Sequence, residues 1–282
     1  MVSNEIMSGC RSKRKGKHPA AVSPVRLSHW LRTDVGRKRE INEDFSLAES
    51  NLGLYMVADG MGGHAGGDTA SRMAVKIVRQ HVLQARRNGG VFQSVFSHQE
   101  PEPVLKMLDR AVRDASARIY ELSSRRPELE GMGTTATLLL VHGLTGYVAH
   151  VGDSRLYRLR NQQLDLLTDD HSLVNEQVKA GFLTKEEAAH SRFSNIITRS
   201  VGFESEVTPD VFTTELQVGD IFLLCSDGLN GMIPDEEISG ILSSCPPSGA
   251  AATLVAAANR AGGDDNITAV MLRVGRRQRG QS

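Results

Sequence analysis

Residues 54–64 have the sequence LYMVADGMGGH, in which an apolar run ends directly on an aspartate and continues into glycines. Two later runs are built in the same way, residues 148–153 ending on Asp153 and residues 222–227 ending on Asp227. Short runs of this composition predict β-strands. Strands that end in carboxylates can direct several acids to one point above a sandwich core, so the pattern predicts a sheet with a charged site at its end.

The rest of the pattern is mixed in secondary structure. Predicted strands cover residues 52–58, 133–141, 144–151, 154–160, 220–225 and 267–274. Apolar residues spaced i, i+3, i+4, i+7, or shorter apolar segments, predict helices over 70–82, 104–119, 235–242 and 248–261. The strands occur in groups with pairs of helices between them. Because strict βαβ alternation is absent, a layered α+β fold is favoured over a parallel doubly wound sheet.

One link between predicted strands is very short. Only Gly152, Asp153 and Ser154 separate the run LTGYVAHV, residues 144–151, from the run RLYRLR, residues 155–160 of the predicted strand 154–160. We therefore expect these two strands to be antiparallel neighbours, joined by a turn that carries a functional acid.

Charge and composition exclude several classes of protein. The 33 basic and 33 acidic residues balance, so net charge indicates neither a nucleic acid nor a membrane as partner. No apolar run is long enough for a spanning helix, and the basic N-terminus lacks the apolar stretch of a secretory signal. Three cysteines, Cys10, Cys225 and Cys245, are too few for a disulfide framework, which predicts a cytoplasmic protein.

Basic segments flank the predicted domain. Residues 1–25 are rich in Lys, Arg, Ser and Pro and are predicted to be a disordered tail, because they bury too little apolar surface to offset their ordering entropy. A solvated tail, a later start at Met7 and a docking role all remain open for this segment. Residues 275–282 are predicted to be a second basic tail. Residues 26–274, between the two tails, are predicted to form one domain.

Acidic residues are concentrated beside glycines and at strand ends. The segments are residues 42–44, 59–64, 151–155, 226–228 and 263–266. A cluster of these carboxylates repels itself unless cations neutralise it, and oxygen ligands select Mg²⁺ or Mn²⁺ over Zn²⁺. The chemistry typical of such a site is two-metal hydrolysis by an activated water. Any one Asp-Gly pair is usually only a turn, but a turn role accounts poorly for all five segments together.

Seven motifs occur in a fixed order along the chain. They are Arg39-x-x-Asn42-Glu43-Asp44, Asp59-Gly60-Met61-Gly62-Gly63-His64, Gly133-Thr134-Thr135, Gly152-Asp153-Ser154-Arg155, Asp170-His171-Ser172, Ser226-Asp227-Gly228 and Gly263-Asp264-Asp265-Asn266-Ile267-Thr268. In this order they resemble the bacterial branch of the protein phosphatase 2C family, over residues 28–274. The resemblance implies a central antiparallel β-sandwich flanked by pairs of helices, in four α-β-β-α layers. It also implies a metal-dependent hydrolase of phosphoserine and phosphothreonine in proteins.

The resemblance further implies a metal site with two tight ions, Mn²⁺ or Mg²⁺. Asp59 would bridge both ions and the Gly60 carbonyl would bind one of them. The remaining implied ligands are Asp44, Asp227 and Asp265. Glu43 would hold a metal-bound water, although an ordinary surface acid fits this position equally well. Asp153 would bind a third, weaker ion, with a turn-capping role as its alternative.

Phosphate binding and proton donation are implied for two further residues. Arg39 matches the arginine with which the family grips phosphate, although Arg37 and Lys38 beside it also fit a plain basic surface. Eukaryotic relatives have a histidine directly after the Asp-Gly pair, where this chain has Met61. The general acid is therefore either His64 or a metal-bound water. His171 is expected to be structural, and residues 173–193 match the mobile flap of the family.

The same residues bear on the competing functions. A phosphatase-like binding module without activity is the main alternative, and it would be signalled by loss of a metal acid. Another phosphoesterase is disfavoured by the order of the motifs. No cysteine is followed by arginine at the sixth position, and residues 62–67 lack the Gly-Lys-Ser/Thr end of a P-loop. Expected partners are phosphorylated proteins and an opposing serine/threonine kinase, and the chain is expected to be a monomer.

Overall fold

A computed structural model describes residues 25–62, 66–88, 101–184, 187–188, 191, 193 and 196–276. Most of the two predicted tails, residues 1–24 and 277–282, lies outside these described residues. The first strand begins at Val25, which is buried, and the last strand ends at Arg276.

Two five-stranded antiparallel sheets form the centre of the molecule. The first contains, in spatial order, β1 (Val25–Asp34), β12 (Ile267–Arg276), β11 (Ile221–Cys225), β8 (Arg155–Arg160) and β9 (Gln163–Leu166). The second contains β10 (Asp210–Glu215), β7 (Thr145–Val151), β6 (Ala136–His142), β3 (Leu54–Ala58) and β2 (Phe45–Glu49). A short pair, β4 (Gly60–Met61) and β5 (Gly133–Thr134), extends from the second sheet.

Helices cover the outer face of each sheet. The long helices α1 (Gly66–Asn88) and α2 (Glu102–Arg125) pack on the second sheet, and a 3₁₀ turn follows at Pro127–Leu129. The helices α5 (Asp235–Ser244) and α6 (Pro247–Ala261) pack on the first sheet. Two short helices, α3 (Leu173–Lys179) and α4 (Asp227–Asn230), lie in connections. The predicted α+β fold with α-β-β-α layers is confirmed.

Both faces of the central strands are buried, which explains their apolar sequences. In β3, Met56 packs towards α1 and α2, whereas Tyr55 and Val57 pack into the layer between the sheets. The layer between the sheets also contains Leu139 and Phe222, both fully buried. The inter-sheet layer fixes the two sheets against each other and so fixes the strand ends that carry the acids.

The predicted pairing of residues 144–151 with 154–160 is wrong. Strand β7 pairs with β6 and β10, whereas β8 pairs with β11 and β9 in the other sheet. Both edges of β7 are therefore occupied, and β8 has no free edge to join. Gly152, Asp153 and Ser154 form a crossing between the two sheets, so Asp153 lies at their junction.

The sequence also underestimates the number of strands. It gives no strand for β1, β2, β9 or β10. Strands β2 and β10 contain polar residues and are only partly buried along most of their length, so they lack a continuous apolar run. Within the described parts of the chain, no helix is both long and apolar enough to cross a membrane.

Truncation of Leu139 tests the inter-sheet layer. We expect Leu139→Ala to lower the free energy of unfolding by about 3 kcal/mol, because it removes buried methyl groups and leaves a cavity. Leu144→Ala is the matched control, since Leu144 is 45% exposed in the turn that follows β6. Urea denaturation of the two variants and the wild type measures the difference. Equal losses in both variants would contradict this account of the core.

Candidate metal centre

The predicted acids come from separate elements and meet at one end of the sandwich. Asp59 directly follows β3, and Asp227 lies just beyond β11 at the start of α4. Asp44 directly precedes β2, and Asp153 lies on the crossing from β7 to β8. Electrostatic interactions of Asp59 with Asp44, Asp227 and Asp153 place these four carboxyl groups together. The two sheets thus contribute acids to the same cluster.

Asp59 is held rigidly by its backbone. Its N–H donates to Thr135 Oγ1 at 2.9 Å, and its carbonyl accepts from Thr134 Oγ1 and from the Thr135 N–H, both at 2.8 Å. Burial raises the pKa of Asp59 well above its ordinary value, and the three neighbouring carboxylates raise it further. Asp59 also shares a hydrogen bond with Asp227. Ionising both carboxyl groups of this pair is therefore unfavourable without a cation beside them.

Asp44 has one bonded oxygen and one free oxygen. Ser226 Oγ and Thr268 Oγ1 donate to Oδ2 at 2.7 Å and 2.6 Å, whereas Oδ1 is buried and has no hydrogen-bond partner. Thr268 Oγ1 in turn lies 2.8 Å from Thr33 Oγ1, which accepts from Asn42 Nδ2. Burial raises the pKa of Asp44 to about 7, partly offset by the two hydroxyl bonds. The hydroxyls orient Asp44 so that Oδ1 is left for another ligand.

Unsatisfied oxygens are the clearest sign of a cation site. Among the described residues, the buried carboxylate oxygens without a hydrogen-bond partner are Glu43 Oε1, Asp44 Oδ1, Asp153 Oδ1 and Asp227 Oδ1. All four belong to residues that the sequence predicts for the metal site. Leaving a buried carboxylate oxygen unpaired is costly, and an oxygen-only donor set fits Mg²⁺ or Mn²⁺.

The electrostatics of the remaining buried acids agree with this view. Burial raises the pKa of Asp153 to about 7, and repulsion from Asp227 and Asp170 adds to the effect. Burial also raises the pKa of Asp227, while the bond to Asp59 lowers it. Within the described parts of the chain, no three His, Cys, Asp or Glu side chains stand in an arrangement that could hold a metal ion as they are. The charge, burial and free oxygens of the buried acids are therefore what indicate a cation site.

Asp265 and Arg39 form the edge of the cluster. Arg39 Nη2 donates to Asp265 Oδ2 at 2.7 Å, and the backbone N–H of Asn266 donates to Asp265 Oδ1 at 2.8 Å. The Arg39 side chain is 51% exposed and that of Asp265 33% exposed. Unlike the deeper acids, Asp265 has a donor on each oxygen. Arg39 thus lies at the solvent side of the cluster, where an incoming anion could meet it.

Asn266 is a site residue to which the sequence assigns no role. Its Oδ1 accepts from the Glu43 N–H at 2.8 Å, and its Nδ2 donates to the carbonyls of Val35 and Ile41 at 3.0 Å and 2.9 Å. A single buried amide therefore connects the loop before β12 with the loop before β2. Its position in a predicted motif was the only sequence signal.

Gly60 is required by packing. A Cβ on Gly60 would lie 2.2 Å from the Gly67 carbonyl oxygen and 2.6 Å from the Glu43 carbonyl oxygen. No side chain fits there, so the backbone after Asp59 lies directly against the start of α1 and the Glu43 loop. Its role as a carbonyl ligand stays a prediction.

The two predicted histidines have different outcomes. His64 lies outside the described residues. His171 is buried, and its Nδ1 accepts from the Gly152 N–H at 3.1 Å while its Nε2 lies 3.2 Å from Asp210 Oδ2. These bonds fit the structural role expected for His171. Of the predicted flap, the described part contains α3 and several exposed residues that follow it.

Comparison with known sequences gives matches over most of the chain. A family model for protein phosphatase 2C matches residues 37–245. The serine/threonine phosphatase stp of Listeria monocytogenes serotype 4b is 36% identical over 255 residues, which are 89% of this chain and 97% of the relative. The protein phosphatase PhpP of Streptococcus pneumoniae serotype 2 is 39% identical over 246 residues, which are 86% of this chain and 95% of the relative.

Comparison with solved structures agrees. The serine/threonine phosphatase PstP/Ppp of Mycobacterium tuberculosis has a TM-score of 0.78 at 35% identity, covering 89% of this chain and 99% of that one. A structure of the PstP catalytic domain in complex with two manganese ions has a TM-score of 0.74 at 35% identity, with the same coverage.

Asp59→Asn tests the repulsion within the cluster. The pKa of Asp59 is raised in the folded protein well above the ordinary value of 3.8 that it has in the unfolded chain. Ionising Asp59 therefore lowers the free energy of unfolding as the pH rises. In EDTA, we expect the melting temperature of the variant minus that of the wild type to increase from about pH 5 to about pH 8. The difference from the wild type is used because His142, His150 and His171, whose pKa values are lowered by burial, themselves make the fold less stable below their ordinary pKa of 6.5.

Asp264→Asn is the matched control, since the Asp264 side chain is 46% exposed and pairs with Lys38. It should follow the wild type at every pH. Added Mn²⁺ should raise the melting temperature of the wild type and the control more than that of Asp59→Asn. A pH-independent difference between Asp59→Asn and the wild type would contradict the raised pKa.

Proposed function

The chain belongs to the protein phosphatase 2C family and is a metal-dependent protein serine/threonine phosphatase, and we propose that Asp44, Asp59 and Asp227 hold its two ions. The observation that carries this assignment is the set of buried carboxylate oxygens without partners at the end of the sandwich. When bound, the ions supply a water of lowered pKa that attacks phosphorus. The substrates are phosphorylated proteins.

The acids have different parts in this proposal. By the family resemblance Asp59 would hold both ions, and its carboxyl group interacts with those of Asp44, Asp227 and Asp153. Asp44 offers Oδ1 to one ion while Ser226 and Thr268 hold its other oxygen. Such outer bonds fix the direction of a ligand and are commonly as important as the ligand itself.

Further ligands complete the proposed centre. The Gly60 carbonyl and Asp265 add oxygens to the pair of tight sites, and Glu43 accepts a hydrogen bond from a water there. By the same resemblance Asp153 would hold a third and weaker ion, and its buried Oδ1 has no hydrogen-bond partner among the described residues. Mn²⁺ and Mg²⁺ both suit this donor set, and the two-manganese structure of PstP supports manganese.

Arg39 is proposed to bind the phosphate of the substrate. Its guanidinium lies at the solvent side of the cluster and donates to Asp265 with only one nitrogen in the described contacts. The other N–H groups can form the bidentate bonds that guanidinium makes with phosphate oxygens. His64 and a water of the metal site remain the two candidates for proton donation to the leaving group.

The cellular setting is also a proposal. We propose a cytoplasmic monomer that opposes a bacterial serine/threonine kinase, with residues 1–25 and 275–282 as basic tails around one catalytic domain. The scattered cysteines support the compartment, and the names of the bacterial relatives support the signalling role. A catalytically weak binding module is the alternative, and activity measurements separate the two.

Metal-dependent hydrolysis tests the proposed function. We expect the purified protein to hydrolyse p-nitrophenyl phosphate and phosphothreonine peptides with Mn²⁺ or Mg²⁺ and to lose this activity in EDTA, because the attacking water needs the ions. Asp227→Asn should lower kcat by about 100-fold, whereas Asp264→Asn should retain most of it. Full activity in excess EDTA would contradict the proposed function. Metal binding without any hydrolysis would favour the alternative, a catalytically weak binding module.

Substitution of Arg39 tests phosphate binding. We expect Arg39→Ala to raise KM several-fold, and Arg39→Lys to restore little of it, because an ammonium cannot reproduce the bidentate geometry. Lys38→Ala is the matched control, as Lys38 is 64% exposed and pairs with Asp264. Steady-state kinetics at saturating metal give KM and kcat separately. If Arg39→Ala and Lys38→Ala behave alike, Arg39 is only a surface charge.

A further inference from the structure

Phe203 is an aromatic side chain held out into solvent. It is 60% exposed, and among the large apolar side chains of the described residues only Phe182 is more exposed. Exposure of one apolar residue is ordinary in itself. The turn that carries Phe203 is not ordinary, because it is fixed on both sides by buried contacts.

Hydrogen bonds fix this turn in one conformation. Val201 exchanges two backbone bonds with Thr134, at 2.8 Å and 2.9 Å. The fully buried hydroxyl of Ser116, on α2, accepts from the Gly202 N–H and donates to the Glu204 carbonyl, both at 2.9 Å. The residues on either side of Phe203 are thus bound to the same hydroxyl.

Gly202 confirms that the turn has little freedom. Its φ is +94°, a region that favours glycine, and a Cβ there would lie 2.1 Å from Ile119 Cγ2. The backbone is therefore pressed against the core while the next side chain points outward. An aromatic residue displayed on a fixed backbone loses little entropy on binding, which is typical of residues that dominate an interface.

The turn lies beside the metal cluster. A Cβ on Gly133 would lie 3.5 Å from the Phe203 Cβ, and Gly133 pairs with Met61 in the short β4–β5 ladder. The next residue of β5, Thr134, donates to the Asp59 carbonyl at 2.8 Å. One strand therefore separates Phe203 from the bridging acid. A polypeptide whose phosphate reached the cluster would pass close to this turn.

Two acidic residues follow Phe203 closely in the sequence. Glu204 and Glu206 are both exposed, and neither forms an ion pair within the described part of the chain. An aromatic face with carboxylates next to it attracts a cation, by cation–π interaction and by charge. A purely apolar side chain would gain binding free energy from the aromatic ring but none from the two carboxylates.

We propose that Phe203, with Glu204 and Glu206, binds an arginine or lysine side chain of the substrate polypeptide near its phosphorylated residue. This inference rests on the proposed phosphatase function and names a determinant of its substrate choice. Phe203, Glu204 and Glu206 would influence which phosphorylated proteins bind, and they take no part in the hydrolysis.

Peptide kinetics test the inference. The substrates are phosphothreonine peptides of alanine background in which one arginine is moved a position at a time along either side of the phosphothreonine. For the wild type, we expect the best-placed arginine to lower KM roughly two- to fivefold against the all-alanine peptide, as for an exposed cation–π contact. In Phe203→Ala this preference should disappear, Phe203→Tyr should restore it, and Glu204→Gln with Glu206→Gln should weaken it.

Controls separate a lost arginine preference from a general loss of activity. Leu144→Ala, an exposed apolar residue in the turn that follows β6, should keep the arginine preference. Kinetics normalised to p-nitrophenyl phosphate, which has no flanking residue, isolate the contribution of the peptide. If the wild type does not hydrolyse p-nitrophenyl phosphate at all, the proposed phosphatase function is wrong, and the inference about Phe203 is not the cause. An equal preference in Phe203→Ala and wild type, or a preference for leucine over arginine, would overturn the inference.

Discussion

Mutual repulsion among buried carboxylates is the constraint on which this structure depends. Asp44, Asp59, Asp153 and Asp227 are removed from water at one end of the sandwich, and their pKa values are raised by burial and, in varying degree, by their neighbours. This cluster does not stabilise the fold by itself, because each buried acid that ionises lowers the free energy of unfolding. Bound cations would offset this cost. Metal binding and folding are therefore linked through the same oxygens.

The surrounding residues determine which oxygens are offered. Hydroxyl groups occupy one oxygen of Asp44, and Thr134 and Thr135 fix the backbone of Asp59 from both sides. Asn266 joins the two loops that lead into the cluster. None of these groups carries charge, yet each restricts an acid to one direction. A fixed orientation is what allows carboxylates from different elements to share an ion.

The sequence can mark Asp59, Asp153 and Asp227 because each follows the end of a buried strand by one or two residues. It fails where tertiary structure decides. Strands β7 and β8 are expected to pair because their connection is short, but β7 already has a partner on each edge, so the connection crosses between sheets. Strand β2 is half-buried and lacks the apolar run that would predict it. Asn266 acts through its amide on distant backbone atoms, and such a role leaves no periodic trace. His64 lies outside the described residues, so its role stays a prediction.

The pairing of β12 with both β1 and β11 has a consequence for synthesis. The strand formed by Ile267–Arg276 lies between two elements that leave the ribosome earlier, and Asp265 shortly precedes it. Until this stretch has emerged, the first sheet lacks an inner strand and the acidic cluster lacks a member. Completion of this sheet, and with it the placement of Asp265 near Asp227, therefore waits for the translation of Ile267–Arg276.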